Sequence, residues 1–204
     1  MLEAAALVVL LSSPSPTPGG TRVTAVTGKD ARRAAWRAQP RFLVWLGPRG
    51  AVRWGRGTAG GGGAGALGVA VRIVHGFGVF VDLAEGVYAR PGQVIGEIRL
   101  GVRYAFGLGV FQPAFLLGVD HGHEQAFAGF ADEPGRTLVG SSDTIDHRTG
   151  PMAGLELRAW LSPDPARKVL HHMAVVGRLD ATYYVDDAPL GWRLALGVAF
   201  AAVF

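Results

Sequence analysis

Histidines and carboxylates concentrate between residues 120 and 147, and this stretch is the best candidate for chemistry in the chain. His121 and His123 are two residues apart, so an extended strand would present both imidazoles on one face. With His147 they form a candidate divalent-metal site, because imidazole is a ligand that zinc and nickel accept. The carboxylates that could complete the shell are Asp120, Glu124, Asp132, Glu133, Asp143 and Asp146. The same residue types are common in solvated loops, so we predict no resident cofactor.

Other kinds of chemistry are excluded more simply. The chain has no cysteine, which removes disulfides, thiol catalysis and cysteine-ligated metals. The glycine tract Gly60–Gly63 lacks the Lys-Ser/Thr pair that follows in a phosphate-binding loop, and we interpret it as a flexible outer hairpin.

Basic residues concentrate near the N-terminus. Residues 22–56 hold nine Lys or Arg against Asp30 alone, with Trp36, Trp45 and Trp54 among them. No nucleic-acid recognition motif accompanies them, so we predict no nucleic-acid partner. Solvated charge, or attraction to anionic lipid head groups, explains the cluster better.

The element that must position these residues is clearest at the end of the chain, where Leu190–Phe204 alternates with a period of two. One face carries Leu190, Trp192, Leu194, Leu196, Val198, Phe200, Ala202 and Phe204. The other face carries small residues and Arg193. Transmembrane barrel strands have this pattern, with apolar side chains toward lipid and small or polar ones toward the lumen.

Composition agrees with a membrane barrel. The 204 residues are 49% apolar, yet no apolar run approaches the ~20 residues that a membrane helix requires. The 31 glycines lie largely within strand-like segments, where they suit a crowded lumen.

The N-terminus divides into two segments ahead of the barrel. Ala4–Leu11 is a short apolar run followed by a Ser- and Pro-rich stretch, so residues 1–20 are predicted to be a signal-peptide region. Residues 21–40 are predicted to be a basic periplasmic segment with a short helix over Lys29–Ala38. The barrel is predicted to occupy residues 41–204.

Eight strand candidates follow, which predicts an all-β fold: an eight-stranded antiparallel up-and-down transmembrane β-barrel. They are Arg41–Trp54, Ala64–His75, Phe77–Ala89, Gln93–Phe106, Leu108–His121, Met152–Leu161, His172–Asp186 and Leu190–Phe204. The first is the weakest, because Pro48 and Gly50 interrupt it, and Pro113 weakens the fifth. Residues 122–151 then form the longest connection, which is predicted to face outside as a contact surface for an extracellular ligand.

The lumen-facing positions are predicted to carry charges that plug the barrel. These are Arg72, Asp82, Glu97, Arg99, Arg103, Glu156, Arg158, Arg178, Asp180 and Arg193. An eight-stranded barrel is only wide enough for side chains to fill, so a salt-bridge network is expected rather than an open, porin-like channel. Trp54, Tyr88, Tyr104, Tyr184 and Trp192 are predicted to form an interfacial girdle.

These features resemble the small eight-stranded outer-membrane barrel proteins, the class of the OmpA transmembrane domain and OmpX. Leu196, Val198, Phe200 and Phe204 look like the C-terminal signal that the barrel assembly machinery reads. The resemblance implies a location in the outer membrane of a Gram-negative bacterium. It also implies contact with outer-membrane lipid and lipopolysaccharide, and assembly by that machinery.

Some barrels of this class modify lipid A, which is the enzymatic alternative. The deacylase type uses His and Ser two residues apart on one strand face, and none of the six histidines here has a serine at that position. A palmitoyl-transferase set can be assembled from His123, Asp143 and Ser141 or Ser142, but no spacing singles it out. We therefore predict a non-enzymatic protein with a structural or surface-interaction role. The third alternative is a soluble β-barrel that binds a small apolar ligand.

Overall fold

Alternation of apolar with small or charged residues produces a closed barrel. The computed structural model of the chain describes residues 39–55, 58–89, 92–107, 110–132, 140–141, 143–162, 172–185 and 191–204. The predicted signal-peptide region 1–20, the helix expected over Lys29–Ala38 and most of the basic segment lie outside the described residues.

Eight antiparallel strands pair in chain order, and β1 pairs with β8 to close the sheet. They are β1 Phe42–Gly55, β2 Thr58–Val74, β3 Phe77–Tyr88, β4 Gln93–Ala105, β5 Phe111–Ala126, β6 Asp146–Trp160, β7 Met173–Tyr184 and β8 Gly191–Val203. One short helix, α1 Phe127–Asp132, follows β5. The predicted fold class is therefore confirmed.

The up-and-down order gives the barrel two distinct ends. β1 begins and β8 ends at the same end, which we call the terminal end. The connections 56–57, 89–92, 127–145 and 185–190 lie at the opposite end, which we call the loop end. The acids and histidines of residues 120–147 belong to β5, β6 and the connection between them.

Three predicted boundaries were wrong, and in each case cross-strand pairing extends a strand through residues that resemble a loop. Gly60–Gly63 is not a flexible hairpin but part of β2, paired with Gly50–Arg53 of β1. β5 continues to Ala126 and β6 begins at Asp146, so the longest connection spans 127–145 rather than 122–151. In the extensions of β5 and β6 the inward-facing charges Glu124 and Arg148 contact each other, with 3.3 Å between Oε2 and Nε.

The first strand is also more regular than its sequence indicates. Pro48 and Gly50 were expected to interrupt it, yet they pair with Gly65 and Gly63 of β2. Proline removes one donor and fixes φ, so a strand accepts it at a position whose N–H the ladder does not need.

The two faces of the sheet have opposite character. Every strand places large apolar side chains on the outside, among them Leu117 at 60% and Phe200 at 66% exposure. We call this outer surface the apolar wall. The interior contains both an apolar core, which includes Trp45, Phe80 and Leu116, and a set of buried charges. In the described part of the chain, no helix has the length and apolar character needed to cross a membrane.

Candidate functional site

A cluster around one carboxylate lies inside the barrel toward the terminal end. Glu156 of β6 accepts hydrogen bonds from Nη2 of Arg103 and of Arg178, each at 2.6 Å, and their Nε atoms lie at 2.8 and 2.9 Å. Arg158 is the outlying member, with Nη2 at 3.9 Å from Glu156 Oε1. The Arg178 guanidinium also lies 3.8 Å from the centre of the Trp45 ring. We call Arg103, Glu156, Arg158 and Arg178 the Glu156 cluster.

A second network fills the middle of the barrel, and we call it the central network. Its members are Arg49, Asp82, Glu97, Arg99, Asp120, Asp180 and Arg193, all buried. The shortest contacts are Arg49–Asp82 and Arg99–Glu97 at 2.5 Å, Arg193–Glu97 at 2.7 Å and Arg193–Asp120 at 2.8 Å. Thr182 and Tyr184 add hydroxyl donors to Asp120 at 2.9 and 3.3 Å. Each arginine of the central network thus contacts at least one carboxylate, which offsets the cost of burying its charge in a low-dielectric interior.

The structure places nine of the ten predicted lumen charges inside the barrel. The exception is Arg72, which is half-buried at the terminal end. Its Nε and Nη2 donate to the carbonyl oxygens of Pro40 and Gln39, at 3.3 and 2.5 Å. Arg72 therefore ties the segment before β1 to the rim of the barrel instead of joining either network.

Sequence reasoning missed three buried interior charges, Arg49, Asp120 and Glu124. Arg49 follows Pro48 in the strand that looked weakest, and Asp120 was assigned to the loop-end acids. The signal for Asp120 was available, because it lies two residues after Gly118 on the inward face of β5. At the loop end Glu124 contacts Arg53, and Arg148 Nε lies 3.3 Å from its Oε2.

The predicted aromatic girdle is partly wrong. Trp54, Tyr104 and Trp192 are exposed on the apolar wall. Tyr88 and Tyr184 are instead buried inside, because they share a strand face with Asp82 and Asp180 respectively.

The three histidines do come together on the outer face of β5 and β6. The His121 and His147 rings stack at 5.4 Å, and His123 lies 6.2 Å from His147 between ring centres. His147 Nδ1 lies 3.4 Å from His121 Nε2, and His121 Nδ1 lies 2.9 Å from Thr149 Oγ1. Within the described ranges, however, no three histidine or acidic side chains are arranged to hold a metal ion. The geometry therefore does not support the predicted metal site.

The acids of that region are dispersed. Asp132, Asp143 and Asp146 are exposed, and Glu133 lies outside the described residues. Asp120 and Glu124 turn inward to arginines. Of the residues singled out for an acyl-transfer set, the structure describes His123, Ser141 and Asp143, and Ser142 lies outside the described residues.

Of the residues predicted to form an assembly signal, Leu196, Val198 and Phe200 lie on the outer face of β8, and Phe204 follows directly after the strand. Leu196, Val198, Phe200 and Phe204 are each more than half exposed. They belong to the apolar wall beside the seam where β8 meets β1.

Comparison with known proteins places the fold. No protein-family model matches the chain, and no curated protein matches it. The structure of Neisserial surface protein A (NspA) matches with a TM-score of 0.58 and 12% identity, over 80% of this chain and 97% of that one. Ail, the attachment invasion locus protein of Yersinia pestis, matches with a TM-score of 0.50 and 13% identity, over 80% of this chain and 99% of Ail. Ail in complex with the heparin analogue sucrose octasulfate gives a TM-score of 0.50 at 12% identity, with the same coverage. The expected resemblance to small outer-membrane barrels is confirmed at the level of fold.

Proposed function

We propose that this chain is an integral outer-membrane β-barrel protein of a Gram-negative bacterium, with a structural or surface-interaction role. The observation that carries the proposal is the apolar wall on a closed barrel whose interior is ionic. A soluble barrel would bury its apolar face and expose its charges. Soluble monomers rarely expose a contiguous apolar patch larger than a few hundred Å². Lipid is the environment that suits this inversion.

The lumen is narrow and filled with charges rather than open. Side chains of the Glu156 cluster and the central network project into the interior from opposite sides of the barrel. Their arginines contact carboxylates directly. This arrangement supports a scaffold or contact function over diffusion of solutes.

The surface for contact is the loop end, chiefly the 127–145 connection with the tips of β5 and β6 that support it. The loop-end connections carry three basic residues, Arg56, Arg90 and Arg136, against five acids. The acids are Asp132, Glu133, Asp143, Asp186 and Asp187. An excess of acids disfavours binding of polyanions at the loop end, so we do not propose a sulfated sugar as the ligand there, although Ail binds such an analogue. We also propose two partners. Lipopolysaccharide contacts the apolar wall in the membrane, and the barrel assembly machinery inserts the barrel.

A non-enzymatic role is also proposed. It is supported by the absence of a His-x-Ser pair from the sequence and by the dispersal of the described loop-end acids. Mass spectrometry of lipid A from cells with and without the protein tests it, and a change in acylation would contradict it.

Membrane residence is tested by fractionation and heat-modifiability. We expect the protein in the outer-membrane fraction, and we expect the unboiled sample to migrate faster in a detergent gel than the boiled sample. Recovery in the soluble fraction with no mobility shift would refute the proposal. The soluble ligand-binding barrel would then be the better explanation.

A further inference from the structure

The charges buried inside the barrel do not balance. The Glu156 cluster and the central network together contain six arginines and five carboxylates, all buried. Glu124 is also buried, but it pairs at the loop end with the half-buried Arg53 and Arg148. One interior guanidinium therefore lacks a counter-charge among the described residues. A buried charge without a partner is costly, so its position is informative.

Distances assign the excess charge to Arg158. Each of the other five arginines has a carboxylate oxygen within 2.7 Å. Arg158 lies 3.9 Å from Glu156, whose two oxygens already accept hydrogen bonds from Arg103 and Arg178. Its Nε has no hydrogen-bond partner, which is also true of Arg49 Nε and Arg193 Nε. Of the six arginines, however, only Arg158 has no described carboxylate oxygen within hydrogen-bond distance, although its side chain is only 5% exposed. A cation–π contact with Trp160 at 5.6 Å adds no negative charge.

Arg158 lines a cavity at the terminal end of the barrel. Four arginines face this cavity, namely Arg41, Arg72, Arg103 and Arg158, and no carboxylate is among its lining residues. The volume open to the centre of a water molecule is about 20 Å³. A water-sized sphere itself occupies roughly 10–15 Å³, so the cavity admits at least one water molecule. A monatomic anion is the smallest occupant that would supply the missing negative charge there.

We propose that Arg158 and this cavity form a binding site for one chloride ion. The ion supplies the missing negative charge next to the Glu156 cluster, and the neighbouring arginines attract it to the mouth. Chloride thus acts as a structural ligand that stabilises the terminal end of the barrel.

The chloride NMR linewidth measures this binding on the refolded full chain in detergent micelles. The wild-type protein should broaden the chloride resonance. Added bromide should reverse this broadening by displacing chloride, whereas added gluconate, a large anion, should not. R158Q should lose the broadening, and R158K should keep it because the charge remains. R53Q is the matched control, since Arg53 is a paired arginine at the other end of the barrel, and it should behave as wild type.

Three outcomes would overturn the proposal. The first is no broadening that bromide displaces in the wild type, a result that needs no variant. The second is equal broadening in R158Q and wild type, with folding of R158Q verified by its mobility shift. The third concerns Asp30 and Asp164, the acids of residues 21–38 and 163–171, which precede β1 and connect β6 to β7 and lie outside the described residues. Stronger broadening in the D30N/D164N double variant would mean that a carboxylate of the chain already occupies the site. Chloride should also raise the unfolding temperature relative to gluconate at equal ionic strength, because a ligand bound only to the folded state stabilises it.

Discussion

Replacement of Glu156 by glutamine tests whether the buried ion pairs stabilise the barrel. The carboxylate is buried and accepts four hydrogen-bonding contacts of 2.6–2.9 Å from Arg103 and Arg178. Glutamine preserves the shape but removes the charge and turns an amide donor toward the guanidinium donors. Breaking a buried pair from one side costs about 3–5 kcal/mol, because the remaining charge stays buried without compensation. We expect the free energy of unfolding to fall by that amount in E156Q.

Urea unfolding of the refolded protein in micelles, followed by tryptophan fluorescence, measures the loss. Trp45 is a suitable reporter because its ring stacks on Arg178 inside the barrel. The matched control is D143N. Asp143 is exposed in the 127–145 connection and forms no ion pair with any residue that the structure describes. Its replacement should change stability by less than about 0.5 kcal/mol. If the free energy of unfolding falls by less than about 1 kcal/mol in E156Q, the reasoning is refuted. The buried contacts of Glu156 would then stabilise the barrel no more than an exposed ion pair does.

Three further predictions concern the wall, the seam and the lumen. L117R places a charge midway along the apolar wall and should destabilise the membrane-inserted barrel by about 2–4 kcal/mol. A126R, at the loop end, should be nearly neutral. Equal destabilisation by the two variants would argue against lipid around the wall. G47A should reduce the folded fraction on gels, because a methyl group there overlaps the Val198 backbone across the β1–β8 seam, whereas G65A meets open space. Refolding of G47A to the wild-type level would show that the seam can adjust. In planar bilayers the wild-type protein should show no stepwise conductance, and regular steps would contradict a filled lumen.

The fold was predictable because its signal is local. Period-two alternation in β3, β4 and β8 assigns one face to an apolar environment and the other to a crowded, charged one without any knowledge of partners. Eight such segments with short connections leave few arrangements other than a barrel. Strand ends were less predictable, because Gly60–Gly63 and the residues around His123 extend their strands only through pairing with a neighbour.

The arrangement of the site depended on information that is not local. The sequence places Arg178 and Glu156 on lumen faces, but it does not indicate which arginine each carboxylate contacts. Arg193 and Glu97 form a pair across 96 positions of the chain. Tyr184 illustrates a different failure, since its aromatic type favoured the interface whereas its place on the Asp180 face required the lumen.

The most distant pairs also explain how the interior stabilises closure. Arg178 of β7 contacts Asp82 of β3, and Arg193 of β8 contacts Glu97 of β4, so each pair joins strands that are not neighbours in the sheet. Such contacts cannot form while the sheet is open, whatever the quality of local strand pairing. Their free energy is therefore gained only on closure, and it raises the barrier to reopening more than it speeds assembly. The ionic interior thus stabilises specifically the closed barrel, which is the state that presents a continuous apolar wall to lipid.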